Sequence, residues 1–151
     1  KKDLQSIIKA KQYFEKVTND YPKTSYALDS KFKIDLINDL LASKEMYIGR
    51  YYFGKKKWIP AINRFKTVVD NYETTIYAEE ALHRLVEVHY TIGLKDEAKK
   101  YAKVLGYNYQ SSKWYENSYS LFDKKYKHIK KNKIKNKSTL KKIKSLFEFN
   151  E

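Results

Sequence analysis

The sequence predicts an all-α fold in which helical hairpins stack into a solenoid with one extended helix. Two repeated features and one scarcity predict it. A 4-3-4 spacing of apolar residues occurs three times, and a short tyrosine-containing segment follows each copy. The 151 residues include only four Gly and two Pro, which disfavours a turn-rich all-β fold.

The 4-3-4 spacing places four side chains on one face of an α-helix. In the first two copies a small Ala precedes a bulky Phe, so a neighbouring helix can approach closely at one level and interlock at the next. We therefore expect Ala61 and Ala98 to be buried at helix crossings. The copies are Ala10, Phe14, Val17 and Tyr21; Ala61, Phe65, Val68 and Tyr72; and Ala98, Ala102, Leu105 and Tyr109.

Each copy ends in what we call a tyrosine joint: a Tyr, a hydroxyl residue three places on, and an aromatic residue five places on. The hydroxyl is well placed to cap the next helix by accepting a free backbone N–H. Acidic residues in or near the first turn complement the helix dipole. The joints are Tyr21/Thr24/Tyr26, Tyr72/Thr75/Tyr77 and Tyr109/Ser112/Trp114, and the acids are Asp29, Glu79, Glu80 and Glu116.

Helix pairs that repeat at about 34 residues are typical of tetratricopeptide-type solenoids. The copies are spaced 51 and 37 residues apart, so the first helix of one pair is extended. Its predicted core face carries Ile34, Ile37, Leu40 and Leu41. We expect the first repeat to be incomplete. The predicted helices cover 3–20, 25–53, 58–71 (with Pro60 in its first turn), 76–92 (ending near Gly93), 95–106 and 113–127.

The formal net charge of +14 is concentrated near the C terminus. Residues 124–144 hold eleven Lys and no acid, whereas residues 1–123 hold 21 basic and 16 acidic residues. We therefore predict helical repeats over 1–123 and a Lys-rich C-terminal extension over 124–151. Residues 128–137 lack a periodic apolar face and should be dispensable for folding. The spacing of Leu140, Ile143, Leu146 and Phe147 predicts a short helix near the end of the extension.

Patterns typical of catalysis or cofactor binding are weak, so we expect neither an enzyme nor a cofactor. His83 and His89 lie on different helix faces, which is poor geometry for a metal site, and His83 is expected to form a surface pair with Glu87. The chain has no Cys and no Gly-rich phosphate loop. Several tyrosines are predicted to pack against neighbouring helices rather than stack on bases, namely Tyr13, Tyr21, Tyr52, Tyr72, Tyr90 and Tyr109.

Arg64 is conspicuous because the chain has 29 Lys but only three Arg. It follows Asn63 in a predicted helix, next to the core position Phe65. Two interpretations remain open at this point. Arg64 is either a solvent-facing helix residue or an interface anchor, since Arg forms directional pairs with carboxylates and is enriched at binding hot spots.

Residues 21–75 and 79–109 resemble the tetratricopeptide lipoproteins that form the D subunit of the outer-membrane β-barrel assembly machinery. The resemblance covers roughly residues 3–122. Its specific motifs are "YA-x-D" at Tyr26–Asp29, "RYY" at Arg50–Tyr52 and "W-x-x-A-x-N-R" at Trp58–Arg64. One departure stands out, because the family usually has Gly where this chain has Lys56, and we expect the turn there to differ.

The resemblance implies a non-catalytic scaffold on the periplasmic face of the outer membrane, held by a lipid anchor upstream of this chain. This chain looks like the C-terminal, partner-binding half. The implied partners are the POTRA domains of the barrel subunit, other lipoproteins of the complex and unfolded outer-membrane proteins, with no nucleic acid expected. In the family, the Arg of the "NR" pair contacts the membrane-proximal POTRA domain. The candidate partner-binding residues are Arg64, Asn63, Trp58, Arg50 and Tyr51.

Two alternatives stay open. One is another tetratricopeptide adaptor of the cell envelope. The other is a nucleic-acid-binding protein that acts through the Lys-rich extension, although selection for phosphate recognition usually favours Arg over Lys.

Overall fold

The computed structural model describes residues 2–123, and every regular element in this range is an α-helix. Consecutive helices pack against each other, and the sixth also packs against the fourth. This arrangement confirms the predicted all-α solenoid of helical hairpins. The helices are α1 (Lys2–Asp20), α2 (Ser25–Gly54), α3 (Trp58–Asn71), α4 (Ala78–Thr91), α5 (Lys95–Asn108) and α6 (Lys113–Phe122).

The extended helix is α2, whose 30 residues span about 45 Å at a rise of ~1.5 Å per residue. No helix in residues 2–123 is both long enough and apolar enough to span a bilayer. The Lys-rich extension over 124–151, with the apolar positions around Leu140, lies outside the described residues.

The core lies where α2, α3 and α4 meet. The small residues Ala42 and Ala61 are fully buried there and let the helices approach closely. Bulky side chains fill the space beside them, above all Met46 and Phe65, which are also fully buried. The predicted burial of Ala61 and Ala98 is confirmed, since neither has exposed surface.

The predicted core face of α2 is wrong at one position. Leu41 is buried, but Leu40 is 51% exposed. The core face of α2 continues through Ala42, and Leu40 lies two residues before it, about 200° around the helix. Leu40 instead belongs to an exposed apolar stripe opposite the core, formed by Leu36, Leu40, Tyr47 and Tyr51.

The three tyrosine joints share one backbone turn. In each, the N–H of the hydroxyl residue donates to the carbonyl of the Tyr three places before it, at 3.0–3.2 Å. Thr24 and Ser112 cap the following helices as predicted: Ala27 N donates to Thr24 Oγ1 at 3.2 Å, and Tyr115 N donates to Ser112 Oγ at 3.0 Å.

Thr75 does not cap α4, so that prediction is wrong. Its hydroxyl donates to the Tyr72 carbonyl at 2.7 Å. Helix α4 begins only at Ala78, whose N–H bonds to the backbone carbonyl of Thr75 at 3.1 Å. Because α4 starts two residues later than a cap at Thr75 would require, Tyr77 occupies the cap position.

The exposure of each tyrosine depends on how many helices pack around its own helix. Tyr52, Tyr72, Tyr90 and Tyr109 are half-buried, in line with the prediction. Tyr13 and Tyr21 are 70% and 61% exposed, so the prediction is wrong for these two. Among the described helices, α1 packs substantially only against α2, which leaves the rest of its surface uncovered.

Two turns place a residue in the left-handed region. Gly93, predicted to end a helix, follows α4 with φ of 88°, a conformation that Gly adopts without steric cost. Lys56, between α2 and α3, has φ of 56°. The turn at Lys56 is therefore left-handed although the residue is not Gly, and a side chain there is strained.

Candidate partner-binding site

A surface groove of about 290 Å³ lies along the start of α3. Pro60 stands in the first turn of this helix, where its missing N–H removes no intrahelical bond. Ile59 is 72% exposed at the edge of the groove, so apolar and polar surface lie side by side. The lining residues are Tyr52, Ile59, Pro60, Asn63, Arg64 and Thr67.

Arg64 lies in this groove and is tied to α2 by one contact. Its Nη1 donates to Glu45 Oε2 at 2.9 Å. The Arg64 side chain is 42% exposed and that of Glu45 only 19%. Arg64 is thus partly held by Glu45 and partly exposed. Its Nε and Nη2 have no protein partner within residues 2–123.

Glu45 influences a second neighbour. Burial, and then the negative charge of Glu45, raise the pKa of the Tyr72 hydroxyl above its ordinary value. The carboxylate of Glu45, on α2, therefore acts on two residues of the α3 segment, Arg64 and Tyr72. No short-range sequence pattern singles out Glu45, because its contact with Arg64 spans 19 residues.

Arg50 is committed to a contact inside the chain. Its Nε donates to Glu80 Oε1 at 2.8 Å and its Nη2 to Glu80 Oε2 at 2.5 Å, a bidentate pair between α2 and α4. The hydrogen bond that Arg50 donates to Glu80, opposed by burial, raises the pKa of Arg50. Its role toward a partner remains a prediction. The pair of donors Nε and Nη2, which we call the fork of the guanidinium group, is already bound to Glu80.

Glu80 is held by two arginines. Burial alone would raise the pKa of its carboxyl, but the hydrogen bonds and charges of Arg50 and Arg84 outweigh burial and lower it below the ordinary value. Arg84 also bonds to Glu87 at 2.7 Å. The four side chains form a charged network that joins α2 to α4.

The aromatic candidates separate. Trp58 is half-buried and packs edge-to-face on Phe53, with ring centroids 5.5 Å apart. Tyr51 is exposed on the apolar stripe of α2, whereas Tyr52, about 100° further around the helix, lines the groove. Of the five candidate residues, Asn63 and Arg64 line the groove. Tyr51 lies on another face.

His83 is not a surface residue, so that part of its prediction is wrong, while its pairing with Glu87 stays a prediction. It is 7% exposed, and its Nδ1 lies 2.8 Å from Ser118 Oγ. The ring also contacts Trp114, with centroids 5.2 Å apart. Because α6 packs on α4, this face of α4 is covered, which only the tertiary structure reveals.

Comparison with known proteins identifies the family. A family model described as "YfiO: Outer membrane lipoprotein" matches residues 1–105. The chain belongs to this family. The resemblance inferred from the "RYY" and "W-x-x-A-x-N-R" motifs is thereby confirmed.

Curated members of the family are named outer membrane protein assembly factor BamD. That of Rickettsia prowazekii is 56% identical over 119 residues, which cover 79% of this chain and 47% of the relative. That of Caulobacter vibrioides is 49% identical over 107 residues, covering 71% and 35%. That of Neisseria meningitidis serogroup A is 29% identical over 111 residues, covering 74% and 42%. The chain thus spans less than half the length of each of these relatives.

Proposed function

We propose that this chain is the partner-binding part of a non-catalytic scaffold that acts in outer-membrane protein assembly, on the periplasmic face of the membrane. The names of the curated relatives support the process. The proposed partner is the POTRA region of the barrel subunit. Other lipoproteins of the complex and unfolded outer-membrane proteins are further proposed partners. Family membership favours neither a general envelope adaptor nor a nucleic-acid-binding protein.

The observation that carries the proposal is the half-exposed Arg64 in the groove, whose Nε and Nη2 have no partner among residues 2–123. An Arg that is held at one edge and open at the other can bind a carboxylate through two parallel hydrogen bonds. Ile59 adds exposed apolar surface beside it. An Arg next to apolar area that becomes desolvated is a common composition of interface hot spots.

Arg64→Glu tests the proposal. It should weaken binding of the isolated POTRA region about 30-fold or more, as reversal of a hot-spot charge does, measured by isothermal titration calorimetry. The new carboxylate would face Glu45, so we also expect stability to fall by about 1 kcal/mol. Binding is therefore measured well below the melting temperature, and circular dichroism checks that the chain is folded.

Lys66→Glu is the matched control, because it makes the same charge change at an exposed position of α3. Its affinity should stay within about twofold of wild type, since Lys66 lies about 200° around the helix from Arg64. Wild-type affinity in Arg64→Glu, or an equal loss in Lys66→Glu, would overturn the proposed interface.

A further inference from the structure

The two arginines of α2 and α3 hold carboxylates with different edges of the guanidinium group. Arg50 grips Glu80 with Nε and Nη2, the side-on fork that makes two parallel hydrogen bonds. Arg64 contacts Glu45 with Nη1 alone. In Arg64, the Nε–Nη2 fork therefore stays available when Nη1 is bound to Glu45.

From this difference we infer that Glu45 is a positioning residue: it holds the Nη1 edge of Arg64 so that the Nε–Nη2 fork is presented to a carboxylate of the partner. The inference rests on the proposed function. The carboxylate ligand of Arg64 comes from that proposed function, and the new element is the role of Glu45, which the sequence motifs do not contain.

Glu45 is suited to this role because it is fixed itself. It precedes the fully buried Met46 in the middle of α2, so its backbone cannot shift easily. Its side chain is mostly covered, which restricts its rotamers. An Arg side chain that has lost rotamer freedom before binding loses less on binding, and the affinity rises accordingly.

Direct competition would require Glu45 and the partner carboxylate to use the same atoms of Arg64. The contact of Glu45 with Nη1 leaves Nε and Nη2 available for the partner carboxylate. Glu45 still repels a partner carboxylate, but Arg64 is 42% exposed, and solvent and salt screen charges at such a site. Positioning should therefore outweigh repulsion.

Two substitutions at one position separate the roles. Glu45→Gln keeps an amide oxygen that can accept from Nη1, whereas Glu45→Ala removes the acceptor. We expect Glu45→Ala to weaken binding of the POTRA region about threefold to tenfold, and Glu45→Gln to stay within about twofold of wild type. Tighter binding in both variants would show competition and overturn the inference, as would equal weakening in both or no change in either.

Arg64→Lys supplies the thermodynamic cycle. An ammonium group has no separate edges to divide between two carboxylates, so Glu45→Ala should cause no further weakening in an Arg64→Lys background. An undiminished effect of Glu45→Ala in that background would show that Glu45 does not act through Arg64, and would also overturn the inference.

Nuclear magnetic resonance measures, without any partner, how strongly Glu45 restricts the Arg64 guanidinium group. Rotation of the Arg64 guanidinium about its Cζ–N bonds should be slow in the full chain and clearly faster in Glu45→Ala. Unhindered rotation in wild type overturns the inference whatever the partner is. Slow rotation in a chain that does not bind the POTRA region overturns the proposed function, and with it the proposed use of the fork.

Discussion

At position 49 the chain has no room for a side chain. A Cβ there would lie 2.6 Å from Cε1 of Phe65, and Phe65 is fully buried and cannot turn into solvent. Gly49→Ala should therefore lower the free energy of unfolding by about 1–3 kcal/mol through overpacking, although Ala is the better helix former. Urea denaturation measures the change. Gly54→Ala is the control, since no atom beyond its chain neighbours and the adjacent helix backbone lies within 4 Å of an added Cβ, and it should be neutral or stabilising by up to ~1 kcal/mol. A loss in Gly54→Ala that matches that of Gly49→Ala would contradict the packing explanation.

Among the elements, the turn between α2 and α3 holds a strained residue. Lys56 has φ of 56°, which costs a residue with a Cβ about 1–2 kcal/mol. Lys56→Gly removes that cost but makes the unfolded chain more flexible, so we expect a net gain of up to about 1 kcal/mol. Thermal melting measures the gain. Lys57→Gly is the control because Lys57 has an ordinary φ of −87°, and it should leave stability unchanged or lower. If Lys56→Gly destabilises the protein, the left-handed turn is not a source of strain.

At the scale of the whole molecule, Glu80 links α2 to α4 and makes stability depend on pH. Its pKa is lower in the folded chain than its ordinary value near 4.5, so the ionised carboxyl stabilises the fold fully above that value. The contribution is lost as the pH falls through the lower, folded pKa. Glu80→Gln should therefore be less stable than wild type at pH 7, and the difference should shrink at acid pH, as measured by urea denaturation from pH 7 to pH 3. Glu97→Gln, at an exposed pair with Lys100, should show little difference at any pH. A pH-independent gap between Glu80→Gln and wild type would contradict the linkage.

The sequence by itself determined the all-α class, the extended helix, and the joints at Tyr21, Tyr72 and Tyr109. Local periodicity carries this information, because residues three and four apart share a helix face. The choice of Asn63 and Arg64 came instead from the scarcity of Arg and the "W-x-x-A-x-N-R" motif, and both residues line one groove. The tertiary structure alone decided which side chains meet across helices. Arg64 with Glu45, Arg50 with Glu80, and His83 with Ser118 are 19, 30 and 35 residues apart. Such pairs depend on the crossing of whole helices, and no spacing within one helix encodes that crossing.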